Sequence, residues 1–200
     1  MQDHEIQFEK VADGLANLGF CVVDGFLSLQ EVNQILREES FHAAADNMKR
    51  AGIGKTTSHH VNEAIRGDYI QWIDETTAGG GVKAYLQRMR QLMQYLNRAL
   101  YLSLKDIEAH ITVYPPGAFY KRHLDQFKTD DHRKLSAICY LNEGWTAEDG
   151  GQLRMHLEDG PHDVLPITGR LVCFRSDQIE HEVLPGTRER YSLTGWFVDR

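Results

Sequence analysis

The amino-acid sequence predicts an α+β fold, in which helices from the first half of the chain pack on one sheet formed by the second half. Apolar residues recur at helical spacing in the first half, whereas they alternate over short segments in the second. Several short strands at regular spacing are typical of a sandwich or barrel. Helices first and strands second favour an α+β arrangement with helices backing one sheet.

The first two helices are indicated by an apolar stripe and by a capping signal. Between Phe8 and Leu18 an apolar residue recurs every three or four positions, which gives one apolar face. A short apolar run follows at residues 20–26. Ser28 and Glu31 then have the spacing of a capping box, in which each side chain bonds the backbone amide of the other residue. A second helix is therefore predicted directly after Ser28.

The third helix has the clearest pattern. Apolar residues between Tyr85 and Leu100 share one helical face, and we expect them to pack in the core. Three consecutive glycines, at positions 79–81, precede this face and are disfavoured inside a helix, so they mark its start. Residues 52–68 have no clear period and are predicted to form a mobile loop.

Five segments of the second half are predicted to be strands. Apolar residues alternate over residues 107–113 and 135–141. Three further segments, near residues 162–167, 169–175 and 190–198, are short, β-rich and bounded by Gly, Pro or Asp. No internal repeat or linker divides the chain, which predicts a single domain.

Composition excludes several classes of protein. The 200 residues are 42% hydrophobic and 26% charged, as in an ordinary globular domain. Lys+Arg 22 against Asp+Glu 29 gives a net charge of −7, which argues against a nucleic-acid groove. No apolar run is long enough for a membrane helix, and the N-terminus lacks a secretory signal. The odd, sparse count of three cysteines argues against a disulfide framework and predicts a cytoplasmic location. Cys139 and Cys173 lie in apolar runs and are predicted to be buried free thiols.

The candidate metal ligands lie in the second half of the chain. His123 and Asp125 are two positions apart, and such side chains share one face of a strand. A third ligand must come from elsewhere. His181 is the preferred candidate, and His156 and His162 are the alternatives. Two histidines and one carboxylate on one face of an octahedron are typical of non-heme Fe(II) oxygenases and leave three positions open.

The last predicted strand supports this interpretation. Arg190, Ser192, Thr194 and Trp196 share one of its faces, and bulky apolar residues occupy both faces. The face with Arg190 is therefore predicted to line a pocket. A guanidinium in such a pocket needs a carboxylate, preferably held by two hydrogen bonds. 2-Oxoglutarate has one, at the end remote from the atoms that chelate iron.

Other conspicuous side chains are interpreted as structural. Six histidines are assigned to solvated or packing positions: His4, His42, His59, His60, His110 and His132. Trp72 is interpreted as a packing residue. Glu180 and Glu182 flank His181 and are expected to point to the opposite face of the strand.

Eight short motifs surround these residues. They are Arg66-Gly-Asp-Tyr-Ile-Gln-Trp-Ile73, Tyr114-Pro-Pro-Gly117, Tyr120-Lys-Arg-His-Leu-Asp125, Tyr140-Leu-Asn142, Gly150-Gly-Gln-Leu-Arg154, Phe174-Arg-Ser-Asp177, His181-Glu-Val183 and Arg190-Tyr-Ser-Leu-Thr-Gly-Trp196. Over roughly residues 60–198 the chain thus resembles the iron and 2-oxoglutarate dioxygenases, most closely the bacterial branch of the prolyl hydroxylases that act on hypoxia-inducible factor. Collagen-type prolyl hydroxylases use Lys where this chain has Arg190, which favours the hypoxia-type branch.

The resemblance implies a particular fold and a metal site. The core is expected to be a double-stranded β-helix, a jelly-roll or cupin-like variant, with N-terminal helices packed on one sheet. One domain is expected over residues 1–200, with helical support over roughly 1–105 and a catalytic jelly-roll over roughly 106–200. The implied Fe(II) ligands are His123, Asp125 and His181.

The resemblance also implies a co-substrate pocket and a substrate loop. Arg190 is implied to act with the iron ligands as a catalytic residue by pairing with the distal carboxylate of 2-oxoglutarate, which Tyr140 hydrogen-bonds. Further side chains implied to line this pocket are Tyr114, Thr194 and Trp196. Arg66 and Asp68 are implied to lie on a loop that closes over substrate, where Asp68 pairs with Arg133. An ordinary surface ion pair is the alternative for these two residues.

The implied activity is hydroxylation of a prolyl residue in a protein. Fe(II) is bound, 2-oxoglutarate and O₂ are consumed, and succinate and CO₂ are released. The resemblance implies ascorbate as a supporting reductant and, for a bacterial member, elongation factor Tu as a candidate substrate. We expect a monomer with no nucleic-acid or membrane partner. The alternatives are a dioxygenase acting on a free amino acid or a ribosomal protein, and a silent domain that binds 2-oxoglutarate or senses oxygen.

Overall fold

The computed structural model describes residues 2–39, 41, 48–51, 65–126 and 129–200. Its helices are α1 (Gln2–Asn17), α2 (Leu29–Arg37) and α3 (Gly80–Leu100). Its strands are β1 (Phe20–Val23), β2 (Lys49–Arg50), β3 (Tyr69–Trp72), β4 (Asp106–Tyr114), β5 (Tyr120–His123), β6 (Arg133–Tyr140), β7 (Leu153–Leu157), β8 (Gly160–Val164), β9 (Leu171–Arg175), β10 (Glu180–Val183) and β11 (Arg190–Val198). Most of the predicted loop at residues 52–68 lies outside the described residues, which include only 65–68 of it.

The three predicted helices are present, and α2 begins at the predicted cap. Ser28 Oγ accepts a hydrogen bond from the Glu31 backbone N–H at 3.2 Å, and the Glu31 carboxylate accepts one from the Ser28 N–H at 2.8 Å. These reciprocal bonds are the capping box that the sequence predicts. In the described part of the chain, no helix is long and apolar enough to cross a membrane.

The start of α3 differs slightly from the prediction. Gly80 and Gly81 form its first turn, and Gly79 is its N-cap. A Cβ on Gly81 would lie 3.0 Å from Cγ1 and 3.3 Å from the backbone nitrogen of Ile35 in α2. Glycine occurs inside the helix here because α3 passes too close to α2 for a larger residue.

The strands form two antiparallel sheets. The larger sheet has seven strands in the order β1-β9-β6-β11-β4-β3-β2, and the smaller has four in the order β5-β10-β7-β8. Apolar residues of both sheets meet in one buried cluster, which includes Ile138 of the larger sheet and Met155 of the smaller. The sheets therefore pack face to face, as expected for a jelly-roll.

The helices cover the other face of the larger sheet. Their apolar residues form one core cluster with the alternating residues of β4, β6 and β11, among them Ile111, Cys139 and Leu193. The intervening residues of the same strands, such as Thr112 and Tyr140, face the smaller sheet instead. The predicted α+β class, with helices on one sheet, is confirmed.

Three strands of the larger sheet come from the helical half of the chain. β1 pairs with β9 at one end of the sheet, and β3 pairs with β4 towards the other end, where β2 is the last strand. The sequence indicated only a short apolar run for β1. These segments have four residues or fewer, which is too short for periodicity to identify a strand.

Gly169 lies just before β9 and beside the end of β6, in a left-handed backbone conformation with φ 72°. Its N–H donates to the Tyr140 carbonyl at 2.8 Å, and its carbonyl accepts from the Leu27 N–H at 3.1 Å. A Cβ at this position would lie 2.0 Å from the Leu27 carbonyl oxygen. Only glycine fits, because both the conformation and the space exclude a side chain.

We therefore expect Gly169→Ala to lower the free energy of unfolding by about 3 kcal/mol, since backbone strain and steric overlap add. Gly25→Ala is the matched control, because Gly25 has φ 66° but no atom within 4 Å of an added Cβ. Strain alone should lower its stability by about 1 kcal/mol. Denaturant unfolding measures both values, and equal losses would contradict the argument.

Candidate active site

A cavity of about 680 Å³ lies between the two sheets. Ten of the eleven predicted site residues line it: Arg66, Asp68, Tyr114, His123, Asp125, Arg133, His181, Arg190, Thr194 and Trp196. The eleventh, Tyr140, is fully buried behind this wall. Its hydroxyl oxygen lies 3.3 Å from Arg190 Nη2, so it contacts the cavity through that guanidinium.

His123, Asp125 and His181 converge at one place in the cavity. His123 Nε2 lies 3.5 Å from Asp125 Oδ1, and His181 Nε2 lies 3.7 Å from Asp125 Oδ2. Among the described residues this is the one group of three such side chains whose ligand atoms all lie within 4.8 Å of one another. The two histidines are brought together because His123 on β5 pairs directly with His181 on β10.

The predicted reason for the position of Asp125 needs correction. β5 ends at His123, so Asp125 lies in the bend beyond the strand rather than on it. The two side chains still meet, although strand geometry does not bring them together. Other residues must hold the carboxylate in place.

Backbone carbonyls orient both histidines. His123 Nδ1 lies 2.7 Å from the Lys121 carbonyl oxygen, and His181 Nδ1 lies 3.1 Å from that of Ile179. A carbonyl only accepts hydrogen bonds, so both Nδ1 atoms are protonated and each Nε2 lone pair faces Asp125. This is the usual arrangement of histidines that bind a metal.

The alternative third ligands lie elsewhere. His156 on β7 has its Nε2 3.0 Å from the Glu182 carboxylate, and Glu182 points away from the cavity. His162 on β8 packs against Phe20, with ring centroids 5.5 Å apart. Neither residue lines the cavity.

The environment favours the protonation states that bind a cation. Burial lowers the pKa of His181 to about 4, although the Asp125 carboxylate partly opposes this shift. Burial raises the pKa of Asp125, but the two histidines and the Ser136 hydroxyl together hold it well below its usual range. At neutral pH His181 is therefore neutral and Asp125 ionised, and both states suit a divalent metal.

Arg190 is a buried cation without a carboxylate partner among the described residues. It is 2% exposed, and its Nε atom has no hydrogen-bond partner. Its guanidinium lies 4.9 Å from the ring of Tyr140 and 5.0 Å from that of Tyr114. A buried charge without compensation is unfavourable. The site therefore fits an anionic ligand such as the distal carboxylate of 2-oxoglutarate.

The buried ion pair on the predicted substrate loop differs from the expected one. Asp68, which is 1% exposed, accepts hydrogen bonds from Nε and Nη2 of Arg66 at 2.7 and 2.6 Å. Arg133 instead stacks 3.6 Å over the Trp196 ring and lies 3.4 Å from Glu108. Asp68 thus pairs with its near neighbour Arg66, and the alternative of a surface pair is wrong.

The structure also adds residues that the sequence analysis set aside. His110, assigned to packing or solvent, lies in the cavity wall with its ring 5.3 Å from that of Trp196. Trp72, assigned to packing, is 48% exposed at the edge of the cavity. His132 also lines the cavity, with its Nδ1 2.7 Å from Asp130. Alternation along β4 places His110 on the face opposite the helix-covered residues, and this signal was available in the sequence.

Comparison with known proteins agrees with this geometry. Residues 109–198 match the family described as the 2OG-Fe(II) oxygenase superfamily. The chain is 32% identical to prolyl hydroxylase EGLN3 of Mus musculus, covering 98% of this chain and 84% of the relative. It is also 32% identical to Egl nine homolog 1 of Homo sapiens, covering 98% of this chain and 47% of the relative.

Two solved structures are similar over nearly the whole chain. A Pseudomonas putida prolyl-4-hydroxylase is 47% identical with a TM-score of 0.86, covering 96% of this chain and 99% of that one. A Trichoplax adhaerens prolyl hydroxylase, solved with a peptide of hypoxia-inducible factor, is 28% identical with a TM-score of 0.86, covering 99% of this chain and 91% of that one.

The chain therefore belongs to the 2OG-Fe(II) oxygenase superfamily, whose members use Fe(II), 2-oxoglutarate and O₂. Within it, the protein is a 2-oxoglutarate-dependent dioxygenase of the prolyl 4-hydroxylase type, homologous to the EGLN enzymes. The His-Asp-His cluster and the uncompensated Arg190 fit these groups.

Proposed function

We propose that the protein hydroxylates a prolyl residue in a protein substrate. The observation that best supports this is one cavity lined by both the His123–Asp125–His181 cluster and the uncompensated Arg190. In the balanced reaction, 2-oxoglutarate, O₂ and a prolyl C–H bond give succinate, CO₂ and a hydroxyprolyl residue. One oxygen atom of O₂ enters succinate and the other enters the new hydroxyl group.

The residues of the chain bind and orient the reactants. His123 and His181 would hold Fe(II) through Nε2, together with the Asp125 carboxylate. Arg190 and the Tyr140 hydroxyl would hold the distal carboxylate of 2-oxoglutarate. The bound iron and co-substrate supply the oxidising power. The buried aromatic rings around Arg190 exclude water from this end of the cavity and strengthen its interaction with an anion.

The edge of the cavity favours a protein substrate. Trp72 and Leu124 line it and remain 48% and 39% exposed. Exposed tryptophan is enriched at protein interfaces, where its large ring is buried by a partner. Trp196 Nε1, also at the cavity, is a buried donor without a partner among the described residues and would suit a peptide carbonyl. These features fit an extended polypeptide better than a free amino acid.

Elongation factor Tu is the substrate we propose. The similarity to a prolyl-4-hydroxylase of Pseudomonas putida supports a bacterial-type enzyme, and the resemblance of the sequence to that branch suggests this target. We further propose that the protein acts as a monomer in the cytoplasm. Its three cysteines are buried free thiols, which suit a reducing compartment.

Mass spectrometry of purified elongation factor Tu tests the proposed function. The protein is incubated with enzyme, Fe(II), 2-oxoglutarate and O₂, with His123→Ala as the control. We expect a gain of one oxygen atom at a prolyl residue with the wild type only. If succinate still forms but elongation factor Tu gains no oxygen atom, the substrate is another molecule. If neither occurs, the catalytic proposal fails.

Trp72→Ala is expected to weaken binding of the protein substrate. Loss of a large interface ring raises KM for that substrate by about tenfold. Formation of succinate in the absence of substrate should not change, because Trp72 lies at the edge of the cavity. Tyr101→Ala is the matched control, since Tyr101 is 92% exposed and lies outside the cavity. Steady-state kinetics would contradict the argument if both variants had the same KM.

A further inference from the structure

Asp125 lies on a bend beyond the end of β5, so the strand does not fix its carboxylate. A metal ligand on a bend needs support from neighbouring residues to keep its geometry. Three residues to which the sequence analysis assigned no role surround it: Gln126, Ser136 and Ser176. None of them lines the cavity, so any effect on the site passes through Asp125.

The two serines form a directed pair of hydrogen bonds. Ser136 Oγ lies 2.6 Å from Asp125 Oδ2, and it lies 2.8 Å from Ser176 Oγ. Both serines are fully buried. An ionised carboxylate only accepts, so the Ser136 hydroxyl donates to Asp125. The Ser176 hydroxyl must then donate to Ser136, which fixes the direction of both bonds.

Gln126 holds the backbone of the bend. Its N–H donates to the Ser176 carbonyl at 3.1 Å. Its side-chain amide donates to the carbonyls of Asp131 and Arg133, each at 3.0 Å. One side chain therefore ties the residue after Asp125 to the start of β6. Ser176 contacts the bend twice, through its carbonyl and through its hydroxyl.

Both carboxylate oxygens of Asp125 face the histidines of the cluster. Oδ1 lies 3.5 Å from His123 Nε2, and Oδ2 lies 3.7 Å from His181 Nε2. The Ser136 hydroxyl holds Oδ2 at 2.6 Å. This hydrogen bond fixes the rotation of the carboxylate and aims it at the space between the two histidines.

We propose that Gln126, Ser136 and Ser176 form a clamp that positions the Asp125 carboxylate as a metal ligand. They are positioning residues, because none of them touches the metal, the co-substrate or the substrate. The inference rests on the metal site of the proposed function, but it does not depend on the identity of the substrate. It can therefore be tested by metal binding alone.

The test is titration of the full-length metal-free protein with Mn(II), followed by electron paramagnetic resonance. Ser136→Ala should weaken Mn(II) binding by about 10- to 100-fold, the usual effect of losing a group that holds a metal ligand. Ser136→Thr keeps the hydroxyl and should restore most of the affinity. Ser28→Ala is the matched control, because the Ser28 hydroxyl also donates to a carboxylate, that of Glu31 at 2.8 Å, but lies outside the cavity. It should bind Mn(II) like the wild type.

Double substitution tests the direction of the hydrogen bonds. Ser176→Ala alone should weaken Mn(II) binding by a smaller factor, and it should add little to Ser136→Ala, because Ser176 acts through Ser136. Gln126→Ala should weaken binding in either background. If Ser136→Ala does not fold, the Ser176 and Gln126 variants decide the question in the same way.

Normal Mn(II) affinity in a folded Ser136→Ala, or in both other variants, would overturn the clamp. A lower Tm with unchanged affinity would likewise leave the serines a purely structural role. Failure of the wild type to bind Mn(II) would overturn the metal site and the clamp together. If the wild type binds Mn(II) but modifies no prolyl substrate, the proposed function fails. The Mn(II) titrations of the variants still test the clamp.

Discussion

His123→Ala is expected to abolish metal binding and succinate formation. Loss of groups that merely hold a ligand weakens a metal site by about 10- to 100-fold, so loss of a ligand itself should reduce turnover on the order of a thousandfold or more. The remaining pair, Asp125 and His181, cannot complete the three-ligand face. Metal content and succinate formation from 2-oxoglutarate measure the effect.

His156→Ala is the matched control for this prediction. His156 lies on β7 beside His181, but its Nε2 contacts Glu182 rather than the cluster. The variant should retain the metal and form succinate at the wild-type rate. Succinate formation by His123→Ala, or its loss in His156→Ala, would show that the metal site has been assigned to the wrong histidine.

Arg190→Ala is expected to raise KM for 2-oxoglutarate on the order of a hundredfold while metal affinity stays unchanged. The variant removes the buried cation that contacts Tyr140 and Tyr114, so the carboxylate would enter a low-dielectric site without compensation. Arg190→Lys keeps the charge but not the planar pair of donors, so its KM for 2-oxoglutarate should lie between those of the wild type and Arg190→Ala.

A shortened co-substrate tests the same contact from the other side. A 2-oxo acid without the distal carboxylate should bind the wild type far more weakly than 2-oxoglutarate. Arg190→Ala should lose this discrimination, because the variant has no guanidinium to favour the co-substrate that carries the distal carboxylate. Unchanged discrimination in the variant, or a parallel loss of metal, would contradict the assignment of Arg190.

The sequence predicted the elements that depend on local patterns. Ser28 and Glu31 are close in sequence, and their capping box is present. The apolar face of α3 and the alternation in β4, β6 and β11 are confirmed. Each pattern is visible in the sequence because one side of the element packs in the core. β1 and β3 were not identified, since their places at the sheet depend on pairing with β9 and β4.

The sequence predicted the site residues whose chemistry is distinctive. It missed residues whose place in the site depends on the pairing of strands. The spacing of His123, Asp125 and His181 indicated a metal site, but the register of β5 with β10 brings the histidines together. His110 and Trp72 are opposite each other on β4 and β3. Nothing in their local sequence indicates that contact.

The most direct test of the account is the mass of the succinate formed from 2-oxoglutarate under isotopically heavy dioxygen. Turnover in the absence of substrate suffices, so the result does not depend on the target protein. The account predicts that wild-type succinate contains one heavy oxygen atom and that His123→Ala forms none. Succinate with only ordinary oxygen, or labelled succinate from His123→Ala, would contradict an iron- and 2-oxoglutarate-dependent dioxygenase centred on this cluster.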